Sequence, residues 1–126
     1  MILVFGGSYN GKLNYVKEKY NIGDEEIFFC NGKEVDYSKK VICGLHKLVY
    51  EIRKDGEDPL KYIKDNVKHF QEKIIISDEI SSGIVPLEKN DRIWREDNGK
   101  CLQYLSKNSC AVIRVFCGIG TVLKDV

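Results

Sequence analysis

The chain has 126 residues, 43% hydrophobic and 31% charged. That is enough apolar material for the core of one ordinary domain, and it excludes a disordered or low-complexity chain. Lys+Arg 20 against Asp+Glu 19 leaves a net charge of +1, so no overall positive field exists to hold a nucleic-acid backbone. No apolar run approaches the roughly 20 residues that span a bilayer. Residues 1–5 are too short for a secretory leader, so a cytoplasmic protein with no membrane or nucleic-acid partner is expected.

Ile2-Leu3-Val4-Phe5 is a continuous apolar run ended by Gly6-Gly7, which reads as a buried strand and a sharp turn. Residues 12–20 carry Leu13, Val16 and Tyr20 at helical spacing, and Asn21 to Gly23 stops that helix. Ile27-Phe28-Phe29-Cys30 is a second strand, followed by the turn signal Asn31-Gly32. Val41-Ile42-Cys43 is a third. It feeds a helix from about Leu45 to Arg53, with Leu45, Leu48, Val49 and Ile52 on one face. Asp58-Pro59 marks a helix start, with Asp58 as N-cap, and Leu60, Ile63, Val67 and Phe70 then recur at helical spacing as core. Ile74-Ile75-Ile76 is the most strand-like run in the chain. Residues 77–91, with Ser81-Ser82-Gly83 and Pro86, read as a loop. A helix from about Asp91 to Leu105 follows, and Ala111 to Phe116 is the last strong strand. Strands alternating with helices predict an α/β fold, a mostly parallel open sheet with helices on both faces. Ligands of such sheets sit at the carboxyl ends of the strands, so the residues just after each apolar run are the candidates for function.

Gly6-Gly7-Ser8-Tyr9-Asn10-Gly11-Lys12 fits G-x-x-x-x-G-K. The bare pattern is weak evidence, but a buried strand before it and an amphipathic helix after it sharpen the signal. Glycines let backbone N–H groups curl around phosphate oxygens, the helix N-terminus adds partial positive charge, and Lys12 would neutralise the distal phosphates. The bland alternative is a glycine turn with a solvated lysine. The position after Lys12, where Ser or Thr would bind Mg²⁺, is Leu13, which has no oxygen. Ile74-Ile75-Ile76-Ser77 runs into Asp78-Glu79, an apolar strand ending in two carboxylates. Asp78 is the candidate Mg²⁺ holder, and Asp78 and Glu79 are candidates to orient a nucleophile. A solvated acidic turn is the alternative. The five cysteines form no CxxC pair and lie at no ligand spacing from His46 or His69, so buried reduced thiols are expected rather than a zinc cage. Both histidines fall on predicted helices with no acid or thiol at triad spacing and read as non-catalytic.

With its C-terminal half included, the chain resembles the bifunctional adenosylcobinamide kinase / adenosylcobinamide-phosphate guanylyltransferase family of cobalamin biosynthesis. The first matching stretch is Met1-Ile2-Leu3-Val4-Phe5-Gly6-Gly7 with Gly11-Lys12. The second is Ile76-Ser77-Asp78-Glu79-Ile80-Ser81-Ser82-Gly83-Ile84-Val85-Pro86. The third is Asp91-Arg92-Ile93-Trp94-Arg95-Glu96-Asp97-Asn98-Gly99 with Gln103, and the last runs from Val115-Phe116-Cys117-Gly118-Ile119 to Leu123-Lys124. The resemblance implies a single RecA-like P-loop domain over residues 1–126. It also implies ATP or GTP as ligand with Mg²⁺, a corrinoid second substrate and a homo-oligomer such as a trimer. The chain departs from the family pattern at Leu13 and at Cys43, which stands where the family strand ends in Asp. It also has only a short stretch, without histidine, over residues 21–40, where the family carries its GMP-accepting histidine.

Arg92 and Arg95 lie three apart on one helix face, and their guanidinium forks suit phosphate or carboxylate groups. The resemblance points to a substrate or subunit-interface role, the alternative being an exposed charged face. Trp94 reads as a packing or interface anchor. Two functions follow. One is phosphoryl transfer from ATP or GTP to a cobinamide-type alcohol, with Lys12 and residues 6–12 on the phosphates and Asp78 or Glu79 at the hydroxyl. The other is a catalytically inactive binding or regulatory module that keeps the cradle. The departures count against the guanylyl-transfer half-reaction and weaken the kinase half-reaction.

Overall fold

A computed structural model of the chain describes residues 1–8, 10–80 and 89–126. Tyr9 and the Ser81-to-Pro86 stretch lie outside the described residues. The strands are β1 (Ile2–Gly6), β2 (Ile27–Phe29), β3 (Val41–Cys43), β4 (Ile74–Asp78), β5 (Ala111–Phe116) and β6 (Ile119–Asp125). The helices are α1 (Lys12–Tyr20), α2 (Leu45–Lys54), α3 (Pro59–Asp65), α4 (Val67–Phe70) and α5 (Lys89–Asn108). The strands form one six-stranded sheet in the order β2-β3-β4-β1-β5-β6. The first five are parallel, and β6 returns antiparallel along β5. This is the expected α/β architecture of a RecA-like P-loop domain, with β4 lying between the loop-bearing strand β1 and β3.

Period-two alternation along these strands feeds two apolar layers, and both sheet faces are covered. Leu3, Ile42, Ile75 and Val112 face one way and pack with Leu45, Leu48, Ile52, Ile63, Phe70 and Leu105 of the α2, α3, α4 and α5 layer. Val4, Val41, Ile74, Ile76, Ile113 and Val115 face the other way and pack with Val16 of α1 and with Ile22. Fully burying a side chain of this size contributes about 1.5–3 kcal/mol, so both layers are needed to hold the strand tips in register. That register pairs Gly6 with Asp78 and Val4 with Ile76, which is also the partner of Cys43. The carboxyl ends of β1, β3 and β4 therefore open at one edge.

The sequence-based elements match this structure closely, but the expected loop over residues 77–91 loses residues at both ends, since Ser77 and Asp78 complete β4 and α5 begins at Lys89, and there are three further differences. The apolar stripe from Leu60 to Phe70 does not form one helix. It breaks at Asn66, whose side-chain Nδ2 donates to the Tyr62 carbonyl at 2.8 Å, an amide competing locally with the helical ladder. Asp58 stands at the N-cap of α3 but makes no capping bond, and its carboxylate lies 3.4 Å from Arg53 instead. Residues 119–125 are a strand that the sequence reading left unassigned. The hairpin turns through Cys117 and Gly118, both left-handed at φ 51 and 76. That is the geometry favoured in two-residue hairpins, but Cys-Gly lacks the usual Asn-Gly signature. The exposed placement of Cys110 and Cys117 also departs from the expected burial, whereas Cys30 and Cys101 are buried thiols.

Gly6 is where β1 passes closest to β5: a Cβ there would lie 2.3 Å from the backbone oxygen of Val115. Gly6→Ala must push two central strands apart. It should lower unfolding free energy by about 1–3 kcal/mol or more, read as a reduced urea midpoint at unchanged slope.

Candidate functional site

Beyond Gly6 the chain leaves the sheet and re-enters a helix at Gly11, whose φ of 80 supplies the left-handed residue before α1. The turn is braced from behind by the β5–β6 hairpin, since Gly118 N–H donates to the Asn10 carbonyl at 2.8 Å. Lys12, the first residue of α1, folds back into this turn and is only 7% exposed. Its Nζ donates to the Gly7 carbonyl at 2.7 Å and pairs with Asp78 Oδ1 at 2.7 Å. A cation this deep needs a partner, because removing one member of a buried pair costs about 3–5 kcal/mol in residual desolvation.

Asp78 ends β4, and every polar atom it owns is engaged. Oδ2 accepts the Ser8 hydroxyl at 2.9 Å and lies 3.4 Å from His46 Nε2. The Asp78 N–H donates to His46 Nδ1 at 3.0 Å, and the Asp78 carbonyl accepts from Asn98 Nδ2 at 3.2 Å and from Ser77 Oγ at 3.1 Å. Burial pushes the Asp78 carboxyl up. The hydrogen bond from Lys12, with smaller contributions from His46 and Ser8, outweighs it and holds the group below the usual aspartate value. His46 moves in the direction of neutrality: burial lowers its pKa, against the pull of Asp78, with Lys47 and Lys12 adding to the lowering. Because Nδ1 accepts the backbone N–H, the hydrogen of the neutral ring sits on Nε2.

Ser8, Lys12, His46 and Asp78 line a cleft of about 600 Å³ at the strand tips, which also touches Leu13, Phe29 and Cys43. Of the residues singled out from sequence, the structure brings Ser8, Gly11, Lys12 and Asp78 to this cleft. Glu79 is set apart. Its backbone N–H donates to the Gly6 carbonyl, and its carboxylate pairs with the Arg114 guanidinium at 3.0 Å. Arg92 is exposed and Arg95 half-buried on α5, and neither lines the cleft. Trp94 anchors α5 to α2, its Nε1–H donating to the His46 carbonyl at 2.7 Å. One helical turn further, Asp97 takes Arg53 in a bidentate pair at 2.8 and 2.9 Å.

His46 and Asn98 were missed from sequence. The separation of His46 from any acid is corrected by the fold, which carries Asp78 to it across 32 positions. A usable signal existed for Asn98: Trp94, Asp97, Asn98, Cys101 and Leu105 share one helical stripe. Asp97 and Asn98 are therefore polar intrusions on a buried face.

The residues present do not fit a protein-held Mg²⁺. Leu13 offers no oxygen, and burial raises the Cys43 thiol away from its thiolate form. Both Asp78 oxygens already face hydrogens, one of them on an ammonium. Among the described residues no three His, Cys, Asp or Glu side chains converge as a metal set.

Residues 41–123 match the model of the cobinamide kinase / cobinamide phosphate guanyltransferase family. The chain belongs to that family. No curated protein matches it. The matched stretch contains Cys43, His46, Asp78, Trp94 and Asn98, and so covers the part of the site built on β3, α2, β4 and α5. Among the described residues, no helix of this family member is long and apolar enough to cross a membrane.

The lowered His46 pKa has a defined sign. Protonation favours the unfolded chain, so stability from the neutral ring is present above about pH 6.5 and lost as pH falls below it. The melting temperature should drop between pH 7.5 and 5.5. His46→Asn, which can still accept the Asp78 N–H, should flatten that drop. The loss from Asp78 has the same sign but falls lower, below the ordinary aspartate value, so the two windows separate in an acid titration of the melting point.

Proposed function

We propose that residues 1–126 form one P-loop nucleotide-binding domain that holds the phosphate tail of ATP or GTP at the Gly6–Lys12 turn. From there it passes a phosphoryl group to the alcohol of a cobinamide-type acceptor. The observation that carries this reading is the buried Lys12 ammonium, held at the rim of a parallel sheet beside the N-terminus of α1 and opening onto the cleft. A helix N-terminus and a lysine in this relation attract anionic oxygens and act mainly by position and charge. Membership of a kinase/guanyltransferase family supports the reading.

Asp78 supplies the remaining chemistry. While Lys12 is bound to it, its proton affinity is low. Once Lys12 turns to a phosphate, the hydrogen bond that lowered it is lost and the carboxylate becomes a better base. It can then accept the acceptor hydroxyl's proton as that oxygen bonds to the γ-phosphorus and the nucleoside diphosphate leaves. Glu79 is tied to Arg114, so Asp78 is the carboxylate assigned to this step. Guanylyl transfer is not proposed, because residues 21–40 hold no histidine. Leu13 and Cys43 favour a second reading, a binding module without turnover. Self-association, which the resemblance implies, is in keeping with the edge hairpin, where Phe116, Ile119 and Leu123 are 67%, 70% and 56% exposed.

Thermal denaturation with GTP or ATP tests the reading. At 100 times its Kd a ligand adds about 2.7 kcal/mol of stability to the wild type. Lys12→Ala should abolish that gain, and retention of the full ligand-induced shift in the variant would refute nucleotide binding at this turn. Phosphorylated cobinamide formed by wild type but not by Asp78→Asn supports the enzyme. Nucleotide binding with no turnover supports the module.

A further inference from the structure

Two donors converge on one carboxylate. Lys12 Nζ lies 2.7 Å from Asp78 Oδ1, and Ser8 Oγ lies 2.9 Å from Oδ2. An ammonium and a hydroxyl around an oxyanion make a receptor for a phosphate as much as for a carboxylate. We propose that Asp78 is the resident anion of the cradle: its carboxylate occupies the seat of a nucleotide phosphate, which enters by displacing it from Lys12 and Ser8 without a protein-held magnesium ion. This rests on the nucleotide reading above, and it makes the site self-inhibited by a residue outside the glycine-rich motif.

The geometry of each donor supports the exchange. The strand tip is held by its main chain: the Asp78 N–H donates to His46 Nδ1 at 3.0 Å and its carbonyl accepts from Asn98 Nδ2 at 3.2 Å, so the tip stays in place when the carboxylate swings out. Lys12 is 7% exposed and its other bond goes to the Gly7 carbonyl, so an anion must replace Asp78 if the pair opens. The Asp78 side chain, 22% exposed and facing the cleft, has room to leave. A carboxylate with an ammonium at 2.7 Å and a hydroxyl on its other oxygen is also a poor cation ligand, and Leu13 and Cys43 supply no substitute.

An intramolecular competitor reduces apparent affinity by the fraction of molecules in which it occupies the seat. Removing its charge must therefore tighten binding. Removing a metal ligand or a base would weaken binding or leave it unchanged.

Calorimetric titration with pyrophosphate and with GTP, in EDTA and in Mg²⁺, decides the matter. Asp78→Asn is expected to bind pyrophosphate in EDTA at least tenfold more tightly than wild type. Ser8→Ala in the Asp78→Asn background, which removes the hydroxyl of the seat, is expected to bind at least threefold more weakly than Asp78→Asn alone. Wild-type affinity for GTP is expected to change less than threefold between EDTA and Mg²⁺. Equal or weaker binding by Asp78→Asn overturns the proposal. So does a Mg²⁺-dependent tightening that disappears in that variant, because it would make Asp78 a metal ligand. If Asp78→Asn does not fold, Asp78→Ser is held to the same criteria. Lys12→Ala separates the two levels: undiminished pyrophosphate binding refutes the nucleotide reading itself. Loss of binding there, with no tightening in the Asp78 variant, refutes the resident anion alone.

Discussion

The ion pair between Lys12 and Asp78 joins the two halves of this molecule. One partner begins α1 and the other ends β4, and they meet because β1 and β4 are neighbours with Gly6 in register with Asp78. The pair works only while the strand tips stay aligned, and the tips stay aligned only while both apolar layers are filled. Packing at Leu3 and Val4, on opposite faces of the same strand, is thus a condition for the geometry of a charge two residues beyond it. A buried pair adds little net stability by itself, because desolvation offsets attraction. Its value lies in placing a cation where solvent hydrates it poorly and another anion can claim it.

The second condition is that Asp78 be held by its backbone as well as by its side chain. His46 takes its N–H and Asn98 reaches its carbonyl, from α2 and α5 respectively. Those helices are themselves joined by Trp94 to His46 and by the bidentate pair of Arg53 with Asp97. Side-chain bonds to the main chain fix the strand tip independently of what the carboxylate binds. The helix layer opposite α1 therefore contributes to the cleft without supplying its cation.

Much of this was legible in the sequence. The glycine turn and Asp78 were readable because each follows an apolar run, and Lys12 because it closes the glycine motif; the ends of parallel strands are where such folds expose function. The hairpin was not, because Cys117-Gly118 enters the left-handed region without Asn or Asp. The split at Asn66 was not, because the apolar spacing runs through it unbroken. His46 was hidden for a more basic reason: its partner is 32 residues away, and only the order of β3 and β4 in the sheet makes them neighbours. Asn98 was visible in principle, as a polar residue on an apolar stripe, a pattern that asks for a buried hydrogen-bond acceptor.

Leu13 and Cys43 look like two independent losses when read along the chain. In three dimensions they flank the same cleft, and the carboxylate between them has turned to the lysine. A metal ion beside the Lys12 ammonium would need carboxylate charge to offset the repulsion. With an alkyl group at 13 and a neutral thiol at 43, that charge is absent, and Asp78 alone cannot satisfy both cations. The electrostatically consistent arrangement is the observed one, in which Asp78 neutralises the buried Lys12 ammonium. Under the proposed reading, the two substitutions and the ion pair are one adjustment, in which an internal anion takes over the charge balance of a metal.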